Sequence, residues 1–318
     1  MIALLLSVLT LDSQAAGARA CEARELRELT ADSAAPYRFD CRASLNGGRI
    51  VRPVLIQGAE ASGAGIDCGG GSIGRPGAQV TTRQPTVAIW SRADGGGFSR
   101  PHDVFLRNCT IHGAVRVWGM GAGGSMSDLR DSSRTPGHTA AAQAAAPSGV
   151  VLERIRFLGT GSIPLYVGPG VTGLTVRNSS FAGRSVSVAV YLDAESAGNV
   201  VIDNEFNITT AREQLAVDGS ARNRIVGNRF ALGRRGGIFL YRNCGEDGVI
   251  RHQTPSDNVI TDNSFSGVNW IRPQTVVVGA REGNRRYCSD DRGWPFGSSA
   301  DDGDNATGNV VARNRIVR

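Results

Sequence analysis

Two carboxylates, three arginines, two tyrosines and one histidine are the residues whose types and spacing could do chemistry in this chain. Asp193 and Asp218 stand 25 residues apart, each closing an apolar segment, Val188-Ala-Val-Tyr-Leu-Asp193 and Leu215-Ala-Val-Asp218. Two carboxylates brought side by side can hold a hard cation, calcium being the expected ion, or divide the roles of acid and base. A pair of charges that merely ends two strands is the plain alternative. Arg116, Arg242 and Arg251 can each neutralise a bound carboxylate through two parallel N–H bonds. Removing a proton beside such a carboxylate then needs a positioned base, for which Tyr191, Tyr241 and His252 have the right side chains. For His252 a turn position outside any groove competes with catalysis, and Arg251 reads better as a solvated loop charge.

All 35 basic residues of the 318-residue chain are arginine. The lack of lysine excludes Schiff-base catalysis, a lysine general base and a lysine-dependent phosphate loop. A formal net charge of +6 points to an anionic partner: an acidic glycan, a nucleic acid or phospholipid headgroups. Glycine is abundant, at 42 residues, and aromatics make up only 6%, which favours many tight turns joining short extended segments over a helical bundle.

A repeat supplies the elements that position these residues. Asn199-Val-Val-Ile-Asp-Asn204-Glu-Phe206 returns from Asn223 to Phe230, from Asn258 to Phe265 and from Asn309 to Ile316. Weaker copies end at Phe181, Phe157 and Ile111, and the end points Phe157, Phe181, Phe206 and Phe230 stand 24, 25 and 24 residues apart. The 35-residue step to Phe265 reads as one coil with a loop, and the steps of 46 and 51 residues as two coils each, carrying insertions. Three short alternating segments per unit, with no helix and no leucine signature, leave stacked parallel coils, each strand pairing with its equivalent roughly 4.8 Å away. The Phe and Val/Ile positions then form an interior ladder. The asparagines read as turn residues because they tolerate left-handed backbone angles. Strand alternation places Arg116, Trp118, Tyr166, Tyr191, Asp193, Asp218, Phe239 and Tyr241 outward, a line of aromatics suited to stacking on sugar rings or simply to packing beneath loops.

The pattern Asn-x-Ile-x-x-Asn-x-Phe, preceded by Gly-Ile-Phe-Leu as at Gly237 to Leu240, resembles the repeat of right-handed parallel β-helix proteins of the pectin-lyase-like superfamily, over roughly residues 50 to 318. The resemblance implies an all-β solenoid of coils of about 24 residues, with substrate along one strand face. It also implies catalysis near the loop after the aromatic strand, which Arg242 and His252 flank. The stretches from Tyr241 to Glu246, Arg251 to Pro255, Asn284 to Cys288 and Trp294 to Ser299 look like a subgroup of exported bacterial β-helix proteins. The fold alone selects no reaction; with the arginines and candidate bases above, the expected function is β-elimination on an acidic, uronate-containing polysaccharide. Arg116, Trp118, Tyr166, Phe239 and Trp294 would bind it, and Tyr241, Arg242, His252 and Tyr191 would act on it. Glycan binding without catalysis, glycoside hydrolysis and C5-epimerisation are the alternatives. The polygalacturonase motifs are absent, and Pro101-His102-Asp103 is similar to the Asp-Pro-His-Asp of alginate epimerases but has Arg100 in place of the first aspartate.

The rest is organisation. Residues 1–20 read as a signal peptide cleaved after Ala20, and residues 21–318 as a single domain: a cap over 21–49 with a short helix from Glu22 to Leu29, and loop insertions at 119–148 and 281–309. The first insertion has no apolar periodicity and is expected to be a mobile flap. No later stretch is apolar enough to span a membrane. A monomer, secreted or periplasmic, is expected, and export with disulfides argues against nucleic acid as partner. The six cysteines are read as disulfide-forming, with Cys244 paired to Cys288 across neighbouring coils to form a wall of the groove with Trp294, and the other four pairing among themselves.

Overall fold

The computed structural model describes residues 18–122, 126–232, 235–244, 246–268, 274–283 and 291–317. Short strands in which a buried residue alternates with partly exposed ones cannot bury their apolar side alone, and here they stack. Each coil gives one strand to each of three parallel sheets, and among the described residues each sheet holds nine strands. The chain is a parallel β-helix with its core inside the coils.

Register makes the interior. Ile50, Ile73, Ile111, Phe157, Phe181, Phe206, Phe230, Phe265 and Ile316 are successive partners in one sheet. Their phenylalanine rings stack with centroids 4.5, 4.6, 4.4 and 5.1 Å apart. The expectation that the 46- and 51-residue steps hide two coils each is corrected. Ile111 pairs directly with Phe157 and Phe265 directly with Ile316, so each step is one coil carrying a long insertion.

The asparagines are also reassigned. The residue before each takes the left-handed conformation: Asp203, Arg222, Asp257, Asp262 and Arg313, with Gly198, Gly227 and Gly308 at equivalent places. Asn199, Asn204, Asn223, Asn228, Asn258 and Asn263 are fully buried inside the turn. From Asn223 onward each side-chain oxygen accepts from the main-chain N–H and the side-chain amide of the asparagine one coil earlier, as where Asn228 Oδ1 takes Asn204 N at 2.9 Å and Nδ2 at 3.0 Å. The oxygens of Asn199 and Asn204 accept from the main-chain N–H of Leu174 and Ser179. Glycine or a polar residue suffices for the turn, whereas the interior rung needs an amide that both donates and accepts.

A helix from Ala23 to Thr30 (α1) covers the first coil, burying Leu29. Disulfides join Cys21 to Cys41 and Cys68 to Cys109. Cys244 is also disulfide-bonded; Cys288, its expected partner, lies outside the described residues. The insertion after Trp118, expected as an irregular flap, holds two helices, Ser127–Ser133 (α2) and His138–Ala145 (α3). Their buried face is Leu129, Ala142 and Ala145, packed in part with Met120 and Val249. Alanine carries both the helix propensity and the buried side, so little apolar periodicity marks the segment in sequence. No helix among the described residues is long and apolar enough to cross a membrane.

Candidate active site

Two rows of side chains face outward from the sheet that begins with Tyr37–Arg38 and Val54–Gln57. In the first, Arg116, Tyr166, Tyr191, Ala216 and Phe239 are successive register partners. In the second, Trp90 partners Trp118, and Asp218 partners Tyr241. Gly168 follows the strand after Trp118, and a Cβ there would lie 2.9 Å from the Val117 carbonyl oxygen and 3.1 Å from the indole, so a larger residue would crowd both.

These rows floor a cavity of about 530 Å³ whose lining includes Trp90, Arg116, Trp118, Tyr166, Tyr191 and Asp193. Arg83, Ile163, Ser187 and Arg212, all before strands, form one wall; Met126 and Leu129 of the flap, with Asn243, Val249 and Arg251, form the other. Of the four arginines in the lining, Arg251 is paired with Asp193 and Asp218 and Arg212 with Glu213, which leaves Arg83 and Arg116 to face Asp247 among the described residues.

Tyrosines and carboxylates link diagonally across coils. Tyr166 donates to Asp193 Oδ2 and Tyr191 to Asp218 Oδ2, both through short contacts. Tyr241 donates to Glu213 Oε1 at 2.8 Å and accepts from Arg212 at 3.0 Å. Arg251 places one guanidinium nitrogen against Asp193 and 3.6 Å from Asp218 Oδ2. It is therefore buried and ion-paired, which corrects its reading as a solvated loop charge. The Asp193–Asp218 pair, considered for calcium, has this guanidinium between its carboxylates and does not fit a metal ion as arranged.

Burial works against the Arg251 cation, but the charges of Asp193 and Asp218 outweigh it and hold its pKa well above the ordinary value. Burial raises Asp218 to about 6, with Arg251 opposing and Asp193 adding to the shift. Burial and then the neighbouring carboxylate push the Tyr166 and Tyr191 phenols well above their usual range. Both phenols are therefore protonated at neutral pH.

Other expected site residues lie elsewhere. Tyr241 is fully buried between the guanidinium groups of Arg281 and Arg212, 4.2 and 5.7 Å from its ring centroid. Arg242, expected in the groove, is buried against the second insertion. It donates to Asp301 Oδ1 at 2.5 Å and to the Gly303 carbonyl at 2.7 and 3.1 Å. The carboxylates and carbonyls at 301–304 attract it away from the sheet face. His252 packs behind the flap, with Nε2 2.7 Å from the Ser133 carbonyl and its ring 5.2 Å from that of His138. Glu195 anchors the same flap by accepting from Thr139 and from the His252 main chain. Trp294 is exposed beside Phe296 and Arg134. Phe239 packs with Tyr191 and Tyr241 outside the cavity lining, and the exposed His102–Asp103 pair is likewise outside it. Trp90 and Arg212 were not singled out by sequence, although Val87-Ala-Ile-Trp90 matches Val115-Arg-Val-Trp118 residue for residue in type at three of four positions.

The profile of the family described as right handed beta helix region matches residues 103–278, more than half of the chain. The chain belongs to the right-handed β-helix family. No curated protein sequence matches this β-helix. Among solved structures it is similar to the DFA-IIIase of Arthrobacter chlorophenolicus A6 in complex with GF2, at 14% identity over 92% of this chain and 82% of that one, with a TM-score of 0.32. It is also similar to a double mutant of the periplasmic alginate epimerase AlgG, at 12% identity over 89% and 75% of the two chains, with a TM-score of 0.26.

Proposed function

We propose that this β-helix is an exported protein that cleaves an acidic, uronate-containing polysaccharide by β-elimination in the covered groove. The observation that carries the reading is the contact of Arg116 with the Tyr166–Asp193 pair inside one cavity: the guanidinium lies 4.6 Å from the Tyr166 ring centroid, and Tyr166 donates to Asp193. Arg116 neutralises the uronate carboxylate and so acidifies the neighbouring C–H. Tyr166 takes that proton as its own passes to Asp193, and Tyr191, the other cavity phenol, protonates the leaving glycosidic oxygen. The disulfides support a secreted or periplasmic location. A second reading, glycan binding without turnover, is favoured by the raised phenol pKa values, which oppose proton abstraction.

Incubation with alginate, pectate and glycosaminoglycans, followed by mass spectrometry of the products, separates these readings. Elimination yields oligosaccharides with unsaturated ends. Saturated fragments with new reducing ends would indicate hydrolysis, and retention of an uncut glycan would indicate binding alone. The absence of both cleavage and binding with every one of these acidic glycans would contradict the proposal.

A further inference from the structure

We infer that Trp90, Arg116 and Trp118 form a donor-only subsite for the carboxylate of a sugar acid, a refinement that rests on the function proposed above. The indole N–H groups of Trp90 and Trp118 and the Nε–H of Arg116 are all buried, and among the described residues none has a hydrogen-bond partner. All three residues line the same cavity. Trp90 is 9% exposed and Arg116 3%. Their placement is built into the coils: the two tryptophans are register partners on adjacent strands, and Arg116 lies two residues before Trp118 on the same face.

Three donors without an acceptor define the ligand by its chemistry. A buried N–H left unpaired costs on the order of 1–3 kcal/mol, so an acceptor-rich group that reaches all three regains what folding left unmade. Arg116 adds a full charge and makes no ion pair among the described residues, while its neighbour Arg251 is held by Asp193 and Asp218. A carboxylate has the required two oxygens and their lone pairs and carries no donor of its own. Trp118 and Arg116 both touch the Tyr166 ring, at 5.8 and 4.6 Å between centres, so a carboxylate bound here sits beside the Tyr166–Asp193 pair. The three N–H groups are sealed from solvent in this arrangement, so a ligand reaches them only as neighbouring side chains shift.

The test is an NMR titration of the full chain carrying ¹⁵N-labelled tryptophan, with glucuronate, glucose and inorganic sulfate as probes. Glucuronate is expected to move the indole N–H resonances of Trp90 and Trp118 saturably and to leave that of Trp294 in place, with glucose at least tenfold weaker. Trp118→Phe keeps the aromatic packing and removes one donor; Arg116→Gln removes the charge. Each is expected to weaken glucuronate binding by tenfold or more, with folding checked by circular dichroism and with Trp294→Phe binding as the parent does. Unmoved Trp90 and Trp118 resonances in a folded protein, or equal response to glucose, would overturn the subsite. A sulfate response as strong as that to glucuronate would overturn its selectivity for a carboxylate. If glucuronate binds here but no acidic glycan is processed, the proposed function fails and the subsite stands; cleavage with silent indoles gives the reverse.

Discussion

Inside the coils and on the groove face, polar side chains are buried by opposite means. The interior rungs are identical neutral amides, and each hands its hydrogen bonds to the next: Asn199 to Asn223, Asn223 to Asn258, Asn258 to Asn309. On the groove face the buried polar groups change from coil to coil, from Arg116 to Tyr191, Asp193, Asp218 and Tyr241, and the links run between unlike groups. The interior closes its hydrogen bonds completely within the repeat. The groove leaves Trp90, Arg116 and Trp118 with open donors and needs residues from distant loops, Arg251 above all, to balance its carboxylates. Repetition is thus the mark of structure in this molecule, and its interruption marks the place where a ligand can contribute.

The largest effects should separate the two regions by their response to pH. Phe206→Ala removes a ring stacked on both sides and should cost about 3–5 kcal/mol in denaturant unfolding, by the same amount at pH 5 and pH 7. Arg251→Met leaves Asp193 and Asp218 buried without their cation and should cost about 3–5 kcal/mol at pH 7. That loss should shrink on acidification, because protonated carboxyls no longer need the guanidinium. A pH-independent loss in Arg251→Met would mean that the groove face is held by packing, like the interior.

The flap gives the next test. Burial, with the charge of His252, lowers the His138 pKa to about 4 from 6.5. Between those values the unfolded chain binds the proton and the folded one does not, so this contribution is complete above pH 6.5 and is lost as pH falls toward 4. The loss should amount to about 2–3 kcal/mol by linkage, and His138→Gln should flatten it. An unchanged acid slope in that variant would assign the sensitivity to the carboxylates. The smallest effect is expected at a turn: Arg222 holds φ 57°, and Arg222→Gly should be neutral or stabilise by up to about 1 kcal/mol. Clear destabilisation there would show that the arginine side chain, not its backbone angle, matters to the coil.

The interior was legible because one residue type recurs at one spacing. The Phe157 to Phe265 ladder follows directly from the repeat, as does the outward position of Tyr166 and Tyr191, whereas the spacing of the asparagines was legible but their place inside the turn was not. Whether a long step held one coil or two was not, since an insertion can be of any length; only the direct pairing of Ile111 with Phe157 decides it. The site was half legible. Arg116, Trp118, Tyr166, Tyr191 and Asp193 share a cavity because they lie on the repeat. Arg242 and Arg251 lie in the irregular chain after the Tyr241 strand, where no periodicity says which guanidinium turns to the groove. The partners settle it: Asp301 and Gly303 hold Arg242, and Asp193 holds Arg251.

The account rests on the Tyr166–Asp193 pair as the proton path, and Tyr166→Phe tests it with the least disturbance, since only one hydroxyl is removed from a ring that still packs on Arg116 and Trp118. On an acidic glycan that the parent protein cleaves, the variant is expected to release unsaturated-ended oligosaccharides at least a hundredfold more slowly, with the midpoint of unfolding little changed and glycan binding retained. Turnover within a factor of two of the parent would contradict the account and place the chemistry elsewhere on the β-helix.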